Sequence, residues 1–345
     1  MRIAIVGASG NMGTALLRNL QGQLAKRPGS LELVGVSRRL PDTAQPPYAG
    51  VEWHTLDVGQ DDDLPRLRSA LAGVDAVVHL AWQLQPNRDL DILHRTNVTG
   101  TGNVLEAARE AGVGHIVCAS SVGAYSKAPK DQRTDESWPA GGIQGSHYSQ
   151  HKAEQEALLD RFETEQPDVK VARLRPGLIF QRDAGSEIGR YFLGPLLARL
   201  LPRRVWTPVL PVPDDLIFQA VHADDAAEAY WQVLDRGESG AFNIAAEPVV
   251  TPQELARLLG ARRILPIPVA LLHALAALTW RLRLQPTDPG WVDMAAGAPV
   301  MDTGRARRLL AWEPRISSID AIVQVLDGIG AGDGVAPSPA LKPRN

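Results

Sequence analysis

A single cysteine in 345 residues rules out an intramolecular disulfide, and such a chain suits a reducing compartment. Basic residues are not in excess: 36 Lys and Arg against 39 Asp and Glu leave a net charge of −3, without the footprint of a nucleic-acid binder. Long apolar runs are missing as well. The most apolar stretch, Ile264 to Trp280, contains Pro266, Pro268 and His273 and stops at Arg281, too broken to span a bilayer. A core helix roofing a substrate pocket is expected there in preference to an interfacial helix, so membrane contact is not expected. Metal-ligand spacing is absent and no metal is expected: Cys118 falls mid-strand as a buried, inert thiol, and Asp61-Asp62-Asp63 reads as a charge cluster at a helix N-terminus. There is no fixed-period repeat. The chain opens on a strand, without a signal-peptide pattern, so a cytoplasmic protein is expected.

What is present begins at the first residue. Met1 to Gly7 is a short run rich in β-branched residues, followed by glycines at 7, 10 and 13 and the helical periodicity of Thr14 to Leu20. Strand, glycine turn and helix in that order suit a pyrophosphate: the glycines permit a tight turn and close backbone approach, and the helix N-terminus offers unpaired N–H groups. Gly7, Ser9, Gly10, Asn11, Met12 and Gly13 are therefore cofactor candidates. The second strand, Leu31 to Val36, ends at Ser37, Arg38 and Arg39, where an NAD site would place an acid against the ribose 2′-hydroxyl. Two guanidiniums and a hydroxyl suit a 2′-phosphate, which favours NADP(H) and leaves NAD(H) possible.

Val74 to Ala81 and Gly114 to Ser121 read as further strands, apolar enough to be covered on both faces. Ligands in such sheets bind beyond the carboxyl ends of the strands, so Ala81, Trp82, Ser120 and Ser121 should face one crevice. Tyr148 and Lys152 lie four residues apart and share a helix face. An ammonium there is expected to draw the phenol pKa down towards the working range, and Ser121 could hold a substrate oxygen while Tyr148 moves its proton.

Together these segments resemble the extended short-chain dehydrogenases/reductases, the NAD-dependent epimerase/dehydratase family. The resemblance rests on Gly7 to Gly13, Leu56-Asp57-Val58, His79 to Trp82, Asn97 to Thr101, Ser120-Ser121 with Tyr125, Tyr148 with Lys152, Arg175-Pro176-Gly177, and Val221 to Asp225. It implies an enzyme with catalytic Ser121, Tyr148, Lys152 and Asn97. It also implies that Asp57 and Val58 meet the adenine, that Leu80, Ala81 and Trp82 lie along the ribose and nicotinamide, and that Pro176, Gly177 and Ile179 belong to the loop closing over the nicotinamide, with Ser120 among the cofactor-binding residues. Lys152 would hold the nicotinamide ribose as well. His79 is expected to be an internally bonded strand histidine. A homodimer is possible by analogy.

The expected architecture is an α/β, Rossmann-type doubly wound parallel sheet with a smaller, mainly helical C-terminal substrate domain. Residues 1–180 plus about 216–247 would bind the cofactor, with Leu216 to His222 and Phe242 to Ile244 returning to the sheet. About 181–215 and 248–329 would bind substrate, including a helix-like Ile188 to Leu201 and a proline-rich passage from Pro202; 330–345 would be a disordered tail. Gln83, Ser121, Gln181, Arg190 and Phe218 are the substrate-side candidates. Phe218 stands where relatives acting on sugar nucleotides carry an arginine, which tilts the reading towards a ketone or secondary alcohol on a less charged molecule. Arg190, Arg203, Arg204 and Arg281 could still supply a diphosphate site, so a nucleotide-sugar epimerase or dehydratase is the alternative. A non-catalytic redox sensor is the second.

Overall fold

The computed structural model describes residues 1–85, 88–193 and 208–344. Leu201, Pro202, Arg203 and Arg204 lie outside the described residues. In chain order the strands are β1 (Arg2–Val6), β2 (Glu32–Ser37), β3 (Glu52–Thr55), β4 (Ala76–His79), β5 (His115–Ala119), β6 (Arg133–Thr134), β7 (Lys170–Pro176), β8 (Leu178–Phe180), β9 (Val209–Val212), β10 (Ala220–His222), β11 (Gly240–Ile244), β12 (Arg263–Pro266) and β13 (Val300–Met301). Seven of them form one sheet in the order β11-β7-β5-β4-β1-β2-β3, every pair parallel. The chain winds outward from β1 in one direction, then from β4 in the other, so the order reverses between β1 and β4. A crevice at that reversal is where such sheets bind ligands.

Alternation along each strand divides the core between the two faces. Ile3 and Ile5 join Leu16, Leu17 and Leu20 of helix Asn11–Lys26 and Tyr230, Val233 and Leu234 of helix Ala223–Arg236. Ala4 and Val6 face the opposite way, onto Leu67 of helix Leu64–Ala70, Val104 of helix Gly100–Glu110 and Leu159 of helix His147–Glu165. Each large apolar side chain so buried contributes about 1.5–3 kcal/mol, which makes the three-layer stack the stable centre of the chain.

Three expectations need correction. Leu216 to His222 does not rejoin the main sheet; only Ala220–His222 is a strand, and it pairs with β8. Gly177 stands at the divergence, where a Cβ would sit 2.5 Å from the Gln219 carbonyl oxygen. These two backbones approach closely at the end of β7, where Leu178–Phe180 leaves the sheet and pairs with β10. The expected tail is ordered up to Arg344. Gly332, at φ +73°, ends helix Ser318–Ala331, and the chain folds back so that the Val335 amide donates to the Leu341 carbonyl at 2.7 Å. Val335, Ser338 and Leu341 are buried, and Val335 and Leu341 join the core cluster that includes Leu16, Leu17 and Leu20 of the first helix, so glycine and proline here encode turns between buried anchors. Third, helix Val269–Arg281 is no core helix, since none of its residues is buried.

Candidate active site

The glycine loop follows β1 and starts helix Asn11–Lys26. Gly7 has φ +94°, and a Cβ there would sit 2.7 Å from the Ala81 amide nitrogen; a Cβ on Gly13 would sit 2.4 Å from the Gly7 carbonyl oxygen. Both glycines are required by packing within the protein. Gly10 differs, because its nearest neighbour would be 3.5 Å away, so the space above it is left open. It is the N-cap, no side chain caps the helix, and the first turn carries no acid. Uncapped N–H groups under open space fit a dinucleotide pyrophosphate. Met12 is buried beneath the loop, and the buried Ser9 accepts the Ser338 hydroxyl on its backbone carbonyl at 2.8 Å.

At the end of β2 the Ser37 hydroxyl donates to the Arg39 carbonyl at 2.9 Å, while the exposed Arg38 donates to Gln83 Oε1 at 2.6 Å. Asp57 accepts the Gly59 amide at 3.0 Å, and its own amide donates to Asp63; Val58 is buried beside it. Asp63 thus belongs to a turn and to the short helical start before Leu64, in keeping with a helix-terminal cluster. Gly100 packs where a Cβ would collide with Val58, at 2.8 Å.

Beyond β4, Asn97 occupies a π-helical turn, Arg95–Thr99, and grips the Gln83 backbone with both ends of its amide: Oδ1 accepts at 2.7 Å and Nδ2 donates at 2.9 Å. This fixes the Leu80, Ala81 and Trp82 segment against the loop. Asn97 therefore positions backbone here.

Ser146 caps helix His147–Glu165 by accepting the Ser149 amide, which places Tyr148 in the first turn and Lys152 one turn later. Ser121 caps its own turn by accepting the Gly123 amide at 3.0 Å. The Ser121 hydroxyl beside the phenol works to lower the Tyr148 pKa. A Cβ on Gly123 would sit 2.9 Å from the Tyr148 ring, so glycine there seats the phenol.

The ammonium of Lys152 is not turned towards the phenol. It donates to the Ala119 carbonyl at 2.6 Å and Gln155 Oε1 at 3.0 Å, and lies 3.4 Å from the centre of the Trp82 ring. Burial pushes the Lys152 pKa down to about 7. Burial likewise raises the Tyr148 pKa above its ordinary value, opposed by the Ser121 hydrogen bond rather than by the ammonium. The downward shift expected from the sequence is thus reversed: desolvation outweighs a charge that points elsewhere.

A chain of hydrogen bonds runs from Lys152 through Gln155 to Thr101, whose hydroxyl donates to the Asn97 carbonyl at 2.7 Å. Because that proton is used, His79 Nε2 must donate to Thr101, leaving Nδ1 unpartnered. Burial holds the His79 pKa down to about 3, so the ring is neutral, an internally bonded strand histidine. Burial raises Cys118 to about 12 and keeps the thiol inert.

Four of the expected contacts fall elsewhere. The Ser120 hydroxyl donates to Glu156, away from the crevice, and Glu156 accepts two bonds from Arg175, at 2.8 and 2.9 Å, and one from Arg173 at 3.1 Å. Burial would raise the Glu156 pKa, but these partners hold it low. Gln181 donates to Asn11 Oδ1 at 2.5 Å and so braces the glycine loop rather than a substrate. Arg190 is exposed and donates to the Ala340 carbonyl. Phe218 bridges Val250 in a small separate cluster with Ala220 and Ile322. Pro176 and Gly177 are buried at the end of β7, and Ile179 is half-buried in β8.

Sequence reasoning missed the aromatic wall. Trp82 meets Tyr148 edge-on with ring centres 5.8 Å apart, Trp291 lies 4.9 Å from Tyr148, and Phe192 stands 5.0 Å from Trp291. The Trp82 indole N–H is buried without a partner. Trp291 comes from helix Gly290–Gly297, far along the chain and in no recognisable motif; only its proximity in space reveals it.

Residues 3–245 match the NAD dependent epimerase/dehydratase family. An uncharacterised protein of Mycobacterium tuberculosis is 28% identical over 317 residues, which cover 91% of this chain and 28% of that protein. The chain therefore spans little more than a quarter of this relative. A putative dihydroflavonol 4-reductase of Synechocystis is 34% identical over 164 residues, 45% of this chain and 43% of that one. Among solved structures, the dTDP-glucose 4,6-dehydratase of Streptomyces venezuelae with NAD bound superposes with a TM-score of 0.69 at 21% identity, covering 95% of this chain and 96% of that one. The chain belongs to the NAD dependent epimerase/dehydratase family and has its Rossmann-like α/β fold.

Proposed function

We propose that this member of the family is an NAD(P)-dependent oxidoreductase exchanging hydride with a ketone or secondary alcohol on a weakly charged molecule. The observation that carries this reading is the wall of Trp82, Trp291 and Phe192 around Tyr148. Such a wall buries a flat apolar body; the ammonium against it, Lys152 at 3.4 Å from the Trp82 ring centre, is assigned to the ribose rather than to a diphosphate. The nicotinamide cofactor supplies or accepts the hydride. Tyr148 passes the proton to or from the substrate oxygen, Ser121 holds that oxygen, and Lys152 binds the ribose once its ammonium leaves the Trp82 face. Arg38 and Arg39 favour a 2′-phosphate and hence NADP(H), without excluding NAD(H). A lower Michaelis constant for NAD than for NADP would count against that preference.

Tyr148→Phe should lower kcat by two or more orders of magnitude with cofactor affinity nearly intact; undiminished turnover refutes the role. A second reading is a nucleotide-sugar epimerase or dehydratase, supported by the likeness to the Streptomyces venezuelae dehydratase along almost the whole chain. Against the dehydratase form, Val122 and Gly123 follow Ser121 where an Asp-Glu pair would be needed. An epimerase would retain its cofactor through the cycle, so turnover without added NAD(P)H selects that reading. Turnover that requires it selects the reductase.

A further inference from the structure

Helix Val269–Arg281 turns its most apolar stripe outward. Ala270, Leu271, Ala274, Leu275, Leu278 and Leu282 follow helical spacing and are all exposed, while Leu272, His273, Ala276 and Trp280 on the opposite side are half-buried. Leu271, Leu275, Leu278 and Leu282 keep 47%, 48%, 54% and 60% of their surface, and Leu265 and Leu284 extend the patch at either end with 53% and 64%. The inward side is anchored: His273 lies 3.5 Å from Asp293, and the Arg88 guanidinium stacks over Trp280 at 4.2 Å. This is a seated helix whose leucines face out.

Charge indicates what covers it. Between Glu254 and Asp288 the sequence carries five arginines, Arg257, Arg262, Arg263, Arg281 and Arg283, and no acid, within a chain of net charge −3. Four of them, Arg262, Arg263, Arg281 and Arg283, are exposed at the two ends of the leucine stripe. A second copy placed symmetrically on this face would set one arginine collar against another, and residues 255–287 carry no acid to neutralise it. Thirteen residues of helix are about 20 Å long, short of the roughly 30 Å hydrocarbon core, and no helix among the described residues is long and apolar enough to cross a membrane.

We propose that this face docks the protein on an anionic phospholipid surface, the helix lying in the headgroup plane with leucines in the acyl boundary and arginines on lipid phosphates. The same helix packs against Gly290–Gly297, which carries Trp291 to Tyr148, so an apolar molecule leaving the bilayer would enter beside the aromatic wall. Docking itself is independent of the reaction proposed above.

Vesicle flotation of the full chain tests the proposal, with phosphatidylcholine alone and with added phosphatidylglycerol. Expected is binding to the anionic vesicles alone, released at 1 M salt, where screening acts within about 3 Å. Leu275→Glu/Leu278→Glu and Arg281→Glu/Arg283→Glu should each lower the bound fraction about tenfold or more, with unchanged circular dichroism and melting temperature. Equal binding to neutral vesicles, or none to either, overturns the proposal. Absence of vesicle binding together with an oligomer that Leu275→Glu/Leu278→Glu dissociates in sedimentation velocity would instead assign the face to a second copy.

Discussion

Helix Ala223–Arg236 and helix Val269–Arg281 are nearly equal in length, 14 and 13 residues, and opposite in environment. The first buries nine residues against the sheet, while the second buries none although it is the more apolar in sequence. The difference lies in the polar residues. Asp224, Glu228, Gln232 and Asp235 give the first helix a face for water, so its alanines, Tyr230 and Leu234 can all point inward. The second carries no such face before Arg281, and whatever side it turns from the protein is apolar. Apolar content alone therefore does not identify a core helix.

The largest effect that would sharpen this comparison lies on the sheet side. Glu156→Gln should cost about 3–5 kcal/mol in denaturant unfolding, because it takes from the buried Arg175 the carboxylate that accepts two of its bonds, while Arg173 keeps Asp160 and Glu163. A cost below about 1 kcal/mol would mean that Glu156 and Arg175 are not a desolvated pair. Next comes the direct contrast between leucines. Leu234→Ala should cost about 2–4 kcal/mol and Leu275→Ala no more than about 0.5, so equal losses would break the distinction between the two helices.

A third effect concerns pH. Lys152 has its pKa lowered to about 7 by burial, so between pH 7 and the ordinary lysine range the unfolded chain binds more protons than the folded one. Stability should therefore rise with pH in that window, by at most about 1.4 kcal/mol per unit, and Lys152→Met should flatten the rise. Identical slopes in parent and variant would show that the ammonium is not desolvated. Glu156 acts in the acid range: its lowered pKa gives stability that is lost as pH falls.

Most of the sheet was legible because its determinants are local. Runs such as Arg2–Val6 and His115–Ala119 announce strands by composition, and Gly7 and Gly13 are dictated by contacts within a few residues or with the adjoining strand. Ser121, Tyr148 and Lys152 could be named for the same reason, since a helix cap and one helical turn place two of them. The ammonium's direction could not be read, because it depends on the Ala119 carbonyl, Gln155 and Trp82, which converge from three separate segments. Gln181 and Arg190 were misplaced because their partners, Asn11 and Ala340, are about 150 to 170 residues away.

The sequence by itself determined the order of strands and helices, the glycine loop and the family, all of which follow from periodicity and short spacing. The tertiary structure decided where burial falls. It joined Val335 and Leu341 to the core cluster of the first helix, brought Trp291 to Tyr148, let desolvation dominate two pKa values, and left the leucines of helix Val269–Arg281 outside. Burial is a property of what surrounds a side chain, and those surroundings are assembled from residues that are distant in sequence.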